Sequence, residues 1–242
     1  NKSEIRWYIF PSSLKTTFQV GDGVFLRSKS AKQLGRHGRV IQVASDRVHV
    51  RFDHDGREKK VQIKRLLPVL TGNNTRQQNI ITTAETSPYR HLAASQITKH
   101  DHVLEIGCST GESSIILSKY SASWVGFDNS DKIISQCQAK LLSTDENCTT
   151  SNCVYKVDAI AEPERARELV KNLPSTVFID IGGNRELDGV LKMIAWVLQS
   201  FDPRLIVVKS RELVKWMVNS DSIDCTRLPS SDGFTVEGCK WF

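Results

Sequence analysis

The stretch Val103-Leu104-Glu105-Ile106-Gly107-Cys108-Ser109-Thr110-Gly111-Glu112 constrains this chain more than any other. An apolar run closed by glycine leads into a helix that opens at Ser113 and Ser114 and carries Ile115, Ile116, Leu117 and Tyr120. That is the junction of a buried strand with an amphipathic helix. Such junctions belong to parallel α/β sheets, in which ligands sit beyond the carboxyl ends of the strands. Four more strand-like runs follow at βα spacing, each closing on a polar residue: Trp124-Val125-Gly126-Phe127 on Asp128, Cys153-Val154-Tyr155-Lys156-Val157 on Asp158, Thr176-Val177-Phe178-Ile179 on Asp180, and Arg204-Leu205-Ile206-Val207-Val208 on Lys209. Helical periodicity fills 130–144, 161–173 and 184–201, the last with Leu187, Val190, Leu191, Ile194, Val197, Leu198 and Phe201 on one stripe. The pattern predicts an α/β fold with a doubly wound sheet.

The glycine spacing narrows the ligand. A dinucleotide fingerprint needs G-x-G-x-x-G, yet counting from Gly107 puts Ser109 and Glu112 where the second and third glycines belong, which disfavours NAD. The pattern Glu105-x-Gly107-x-x-x-Gly111, with Asp128 ending the next strand, resembles motifs I and II of class I, Rossmann-like S-adenosylmethionine-dependent methyltransferases, over roughly residues 86 to 242. The resemblance implies S-adenosylmethionine as cofactor. Its methionine end would lie near Glu105, Gly107 and Gly111, its ribose on Asp128 and its adenine near Asp158 or its neighbours, with Cys108, Ser109, Thr110, Asn129 and Ala159 completing the cofactor-binding set. Ser109 stands where many members carry glycine.

Motif I is silent about the methyl acceptor. Exocyclic-amine methyltransferases usually carry Asn/Asp-Pro-Pro-aromatic after the fourth strand, where this chain has Asp180-Ile181-Gly182-Gly183-Asn184. Cytosine C5 methylation uses a cysteine in a Pro-Cys or Thr-Cys setting, which none of the cysteines 108, 137, 148, 153, 225 and 239 has. Ser87-Pro88-Tyr89-Arg90-His91-Leu92, Asp180, Lys209 and Glu237 resemble the Lys-Asp-Lys-Glu set of RNA ribose 2′-O-methyltransferases, which makes Asp180 and Lys209 the candidate catalytic pair. Arg90 stands in place of a lysine and cannot shed its proton. Gly182-Gly183 is separately similar to the precorrin decarboxylating methyltransferases.

The first third of the chain reads differently. Phe18-Gln19-Val20, Val24–Arg27, Gly38–Val43, Arg47–Phe52, Lys60–Ile63 and a closing Leu66-Leu67-Pro68-Val69 are short alternating runs separated by tight turns. They look like an SH3-like small β-barrel of the Tudor or KOW type over 15–70, after an N-terminal segment 1–14 and before a polar linker 71–85 that leads to the methyltransferase domain 86–242. Such barrels grip RNA or surround a methylated side chain with aromatics, and Phe18, Phe25 and Phe52 serve a cage or a core equally well. Charge favours RNA. Residues 1–72 hold 15 Lys/Arg against 6 Asp/Glu, whereas 73–242 hold 18 against 21. The asymmetry points to a polyanion on the first module, contacted by Arg27, Arg39, Arg51, Lys59, Lys60 and Lys64, and to chemistry on the second.

No C-x-x-C occurs, so no zinc or other metal site is expected, and the cysteines suit a reducing compartment. With no run of about 18 apolar residues, and no apolar core in the first residues like that of a signal peptide, the expectation is a soluble, intracellular chain. The start at Asn1 leaves a trimmed N-terminus or an organellar leader open. The sequence thus points to a methyltransferase acting on RNA, with protein as second acceptor and a non-catalytic scaffold of the same fold as the competing class.

Overall fold

The computed structural model describes residues 4–11, 17–27, 35–70, 77–144, 152–181 and 186–219. In chain order these form β1 (Glu4–Ile9), β2 (Gly23–Leu26), β3 (Arg36–Val43), β4 (Arg47–Phe52), β5 (Glu58–Gln62), β6 (Leu66–Pro68) and β7 (Gln77–Thr83). Then come α1 (Thr86–Ser95), β8 (His102–Ile106), α2 (Glu112–Tyr120), β9 (Ser123–Asp128), α3 (Asp131–Thr144), β10 (Asn152–Lys156), α4 (Pro163–Leu169), β11 (Thr176–Ile179), α5 (Leu187–Phe201), β12 (Leu205–Lys209) and α6 (Arg211–Asn219). Among the described residues, none of the helices is long and apolar enough to cross a membrane.

Seven strands make one parallel sheet in the order β1-β7-β12-β11-β8-β9-β10. Strands of such a sheet are buried on both faces, which is why β11 and β12 read as unbroken apolar runs. Leu104, Ile106, Val177 and Ile179 pack toward α4, α5 and α6, while Val103, Phe178, Leu205 and Val207 pack toward α1, α2 and α3. The doubly wound α/β expectation therefore holds. The apolar stripe on α5 is the largest helical contribution, burying Val190, Leu191, Met193, Ile194, Val197, Leu198 and Phe201.

Two expectations about the chain's first part are corrected. The segment 71–85 was expected to be a polar linker, but residues 77–83 form β7, a strand flanked on both sides by β1 and β12. Ile80 and Ile81 are fully buried, and Thr82 and Thr83 nearly so; this β-branched run outweighs the Asn and Gln residues before it. Within the segment 1–14, Glu4–Ile9 is an edge strand that pairs in parallel with β7 from Glu4↔Gln77 to Ile9↔Thr82. The antiparallel strands are thus inserted between the first two strands of the parallel sheet.

Those strands form a five-stranded antiparallel sheet, β5-β4-β3-β2-β6, around Phe18, Val24, Val40, Val48, Val50, Phe52, Val61 and Leu66. Phe18 lies in a loop, not a strand. The other face of β2 and β6 turns inward, so Phe25, Leu67 and Val69 join the α1–α2 layer of the parallel sheet. Polar bonds lock the junction. Gln96 accepts from the Leu70 amide at 2.9 Å and donates to the Pro68 carbonyl at 2.9 Å, and Arg204 donates to the Leu70 carbonyl at 2.8 Å.

Candidate active site

The turn from β8 into α2 is shaped by close approach. Gly107 has φ +86°, and a Cβ there would stand 1.9 Å from the carbonyl oxygen of Asp180, so only glycine lets the turn lie against the end of β11. Gly111, at φ +85°, abuts Cys137 on α3, whose sulfur would be 3.0 Å from an added Cβ. Between them Ser109 takes a left-handed conformation, φ +48°, at the position where the resembling family often has glycine. Its amide donates to Asp128 Oδ2 at 3.1 Å, while Ser130 N donates to Asp128 Oδ1 at 3.2 Å. Each carboxylate oxygen has a further lone pair for a ligand. One strand over, Asp158 Oδ1 accepts from the amides of Ile160 and Ala161 at 3.0 and 3.2 Å, fixing a second carboxylate at the same edge.

These groups surround a cavity of about 380 Å³ at the carboxyl ends of β8, β9, β10, β11 and β12, within the usual size range of small-molecule sites. Of the residues singled out in the sequence, Gly107, Ser109, Asp128, Asn129, Asp158, Ala159, Asp180 and Lys209 line it. Lys209 Nζ is 2.6 Å from Asp180 Oδ2 and 3.3 Å from Thr86 Oγ1, with both members of the ion pair more than four-fifths buried. The lysine is thus tied to the end of β11 and to the first residue of α1.

Glu105, Cys108, Thr110 and Gly111 are not among the lining residues. Glu105, at 1 % exposure, points from β8 into the α2–α3 layer, where its Oε2 accepts from Ser114 Oγ at 2.7 Å and Trp124 Nε1 at 3.1 Å. Burial pushes its carboxyl up to about 8 against the opposing pull of those two hydrogen bonds. Strand alternation explains the displacement: Val103 and Glu105 share one face while the chain turns into the cavity only from Ile106 onward. Cys108 is buried against Cys137; the hydrogen bond between them, with burial, holds the Cys108 thiol far up, while the same bond draws Cys137 down against its own burial. Thr110 is exposed.

Sequence reasoning missed the apolar wall formed by Ile106, Phe127, Val157, Ile160, Ile181 and Met193. Four of these adjoin acids or glycine that were named, so position at a strand's end was the available signal. Met193 comes from α5 and had no local signal. Arg90 is half-buried and not on the cavity lining, while Glu237 and Gly182-Gly183 lie outside the described residues. In the antiparallel sheet Phe18, Phe25 and Phe52 are core residues at 4–6 % exposure. Arg27, Arg39, Arg51, Lys59, Lys60 and Lys64 are all exposed, with Arg51 held by Glu58 at 2.7 Å.

No family model and no curated protein matches this chain. Solved structures similar in fold include a precorrin 8w decarboxylase from Methanobacterium thermoautotrophicum, at 17 % identity and TM-score 0.40, covering 50 % of this chain and 61 % of that one. A dimethyladenosine transferase from Plasmodium falciparum matches at 21 % identity and TM-score 0.41, covering 56 % and 45 %. An rRNA methylase from Streptococcus thermophilus matches at 14 % identity and TM-score 0.37, covering 51 % and 72 %. This chain thus spans less than two thirds of the first two. Other similar structures were solved with S-adenosylmethionine or S-adenosylhomocysteine bound.

Proposed function

We propose that this chain is an S-adenosylmethionine-dependent methyltransferase whose acceptor is carried by RNA, with the five-stranded antiparallel sheet serving as a small SH3-like, RNA-holding barrel. The observation that carries the reading is the convergence, on one cavity of about 380 Å³, of a glycine cradle that admits no Cβ, two carboxylates fixed by backbone amides, and a largely buried lysine–carboxylate pair. The residues fit the cofactor chemically. Asp128 is an acceptor pair for vicinal hydroxyls, Asp158 and Ala159 offer polar edges for a base, and Phe127, Val157, Ile160 and Met193 give that base an apolar bed.

When bound, the cofactor supplies a methyl group on a sulfonium centre. The chain's task is to hold it, exclude water and align a nucleophile. Lys209, tethered by Asp180 and Thr86, is the group that orients an acceptor hydroxyl, and its ion-pair partner Asp180 is the carboxylate that takes up the hydroxyl proton as the oxygen–carbon bond forms and the sulfur–carbon bond breaks. The burial of Phe18, Phe25 and Phe52 supports RNA over a methylated side chain as the barrel's ligand, since a cage needs open aromatic faces.

The test is a calorimetric titration of S-adenosylmethionine against the chain and against Asp128→Ala. Loss of hydrogen bonds to a charged acceptor, worth about 1.5–3 kcal/mol each, should weaken affinity at least tenfold. Equal affinity of the two proteins would remove Asp128 from the site, and no binding to either would leave a non-catalytic scaffold.

A further inference from the structure

A second cleft, of about 620 Å³, lies where the antiparallel sheet meets the parallel one. One wall is β3 and the turn after β4, with Arg36, His37, Arg39 and Asp53; the other is the loop Ile97-Thr98-Lys99-His100 and Tyr120, the last residue of α2. That loop leads into the start of β8, and Tyr120 precedes the start of β9. The cleft is therefore at the amino-terminal edge of the parallel sheet, opposite the cavity that holds Asp128, Asp180 and Lys209. Five to six strand residues separate the two edges, or about 17–20 Å at 3.3 Å per residue.

We propose that this cleft binds the phosphodiester backbone of RNA at a distance from the reacting methyl; the idea rests on the RNA-directed reading above. Three fixed cations, Arg36, Arg39 and Lys99, reach it from both walls against the single carboxylate of Asp53, with His54 and His100 at the rim. Cations spread over both walls of so open a volume match a chain of phosphates better than one anion. The floor supplies the second half of the chemistry. His37 packs edge-on between Phe25 and Tyr120, with centroids 5.0 and 6.4 Å away, and its Nε2 donates to the Ser95 carbonyl at 3.0 Å. Burial lowers the affinity of His37 for a second proton, so this ring is a flat neutral surface beside the half-exposed ring of Tyr120. A basic groove with an aromatic floor is how single strands are held without base-specific contacts. The exposed face continues the track, since Arg39 and Arg51 are cross-strand partners, although Glu58 neutralises part of Arg51. An acidic protein segment would find the same cations and no use for the rings.

The experiment follows fluorescence anisotropy of a fluorescein-labelled 20-nucleotide single-stranded RNA over a salt series, with the full chain, Arg36→Glu/Arg39→Glu, and Tyr120→Leu. Both arginines are exposed, so the double variant should fold, which unchanged S-adenosylmethionine titration and urea midpoint would verify. Removal of two phosphate contacts should make the slope of log K against log salt shallower by about 1.4 and weaken binding at 0.1 M salt by more than about tenfold. Tyr120→Leu should weaken binding about tenfold with the slope unchanged. If the parent binds RNA and both variants match it, the cleft assignment fails while the RNA reading stands. If the parent binds S-adenosylmethionine but no RNA at any salt, the RNA reading fails and takes the cleft with it. Displacement of the RNA by poly-glutamate of equal charge at equal concentration would overturn RNA in favour of an acidic protein.

Discussion

At the scale of single residues, the proposed chemistry rests on Lys209. Its partners Asp180 and Thr86 fix the amine, so Lys209→Ala should lower single-turnover methyl transfer by about 10²–10⁴-fold at saturating S-adenosylmethionine while leaving cofactor affinity within a few-fold. A lysine that merely decorates a strand end would leave the rate near that of the parent. Glu105 has a different task. Its carboxyl, pushed up to about 8, keeps its proton in the folded chain across a window in which the unfolded chain has lost it, from the ordinary value of 4.5 upward. The folded state binds more protons there, so this group's contribution falls as pH rises from about 4.5 through 8, by on the order of 5 kcal/mol for a shift of this size. Glu105→Gln keeps a neutral side chain that can accept from Ser114 and Trp124 but does not titrate. Urea midpoints at pH 5 and pH 8.5 should therefore differ less for Glu105→Gln than for the parent, and an equal drop in both would place the charge-sensitive group elsewhere.

Among elements, the amino-terminal ends of the central strands are held by one buried pair. Arg204, which leads into β12, reaches Asp101, which leads into β8, at 2.8 Å, and Ser175 before β11 donates to the same carboxylate at 2.6 Å. Burial alone would raise the Asp101 carboxyl, but Arg204, Ser175 and Thr98 overrule it and hold it below its ordinary value. Its contribution is therefore present above the ordinary carboxylate range and is lost as pH falls through the depressed value. Asp101→Ala leaves Arg204 buried without its carboxylate and should cost about 3–5 kcal/mol, read as a lower urea midpoint at pH 7; a change under about 1 kcal/mol would show that the carbonyls of Leu70 and Gln96 suffice for the guanidinium. Such elements differ in how plainly they show in the sequence. Strands β8, β9, β11 and β12 were legible because burial on both faces leaves largely apolar runs, and the edge strand β10 because its short Cys153-Val154-Tyr155 run closes toward Asp158; the strand ends named eight of the residues around the cavity. Strands β1 and β7 were not, because Gln78 and Asn79 are buried polar residues that read as linker, with Gln78 donating to Asp202 and Pro203, 124 and 125 residues away in sequence. The orientation of Glu105 was not legible for a related reason: the motif fixes its position in the chain, whereas the neighbours Ser114 and Trp124 decide which way it faces.

The whole molecule sets its two clefts on opposite edges of one sheet, and this geometry bears on substrate length. Because the antiparallel strands are inserted between β1 and β7, and β7 leads directly into α1, the inserted sheet is tied at both ends to the parallel sheet. Gln96 and Arg204 pin its exit further. A phosphate held by Arg36, Arg39 and Lys99 then lies about 17–20 Å or more from the cavity mouth across the strands. A stacked strand rises about 3.4 Å per nucleotide, so about five or six stacked nucleotides span the distance from the held phosphate to the methylated residue under the proposed reading. The KM for methyl transfer should accordingly fall steeply as RNA substrates lengthen past that span and then level off, while kcat stays nearly constant because the remote contacts act on binding alone. In Arg36→Glu/Arg39→Glu the length dependence should disappear, with long substrates showing the KM of short ones and short substrates unaffected. Steady-state kinetics on a nested series of RNAs sharing one methylation site would decide it, and a parent enzyme whose KM does not depend on length beyond two or three nucleotides would disconnect the cleft from the reaction.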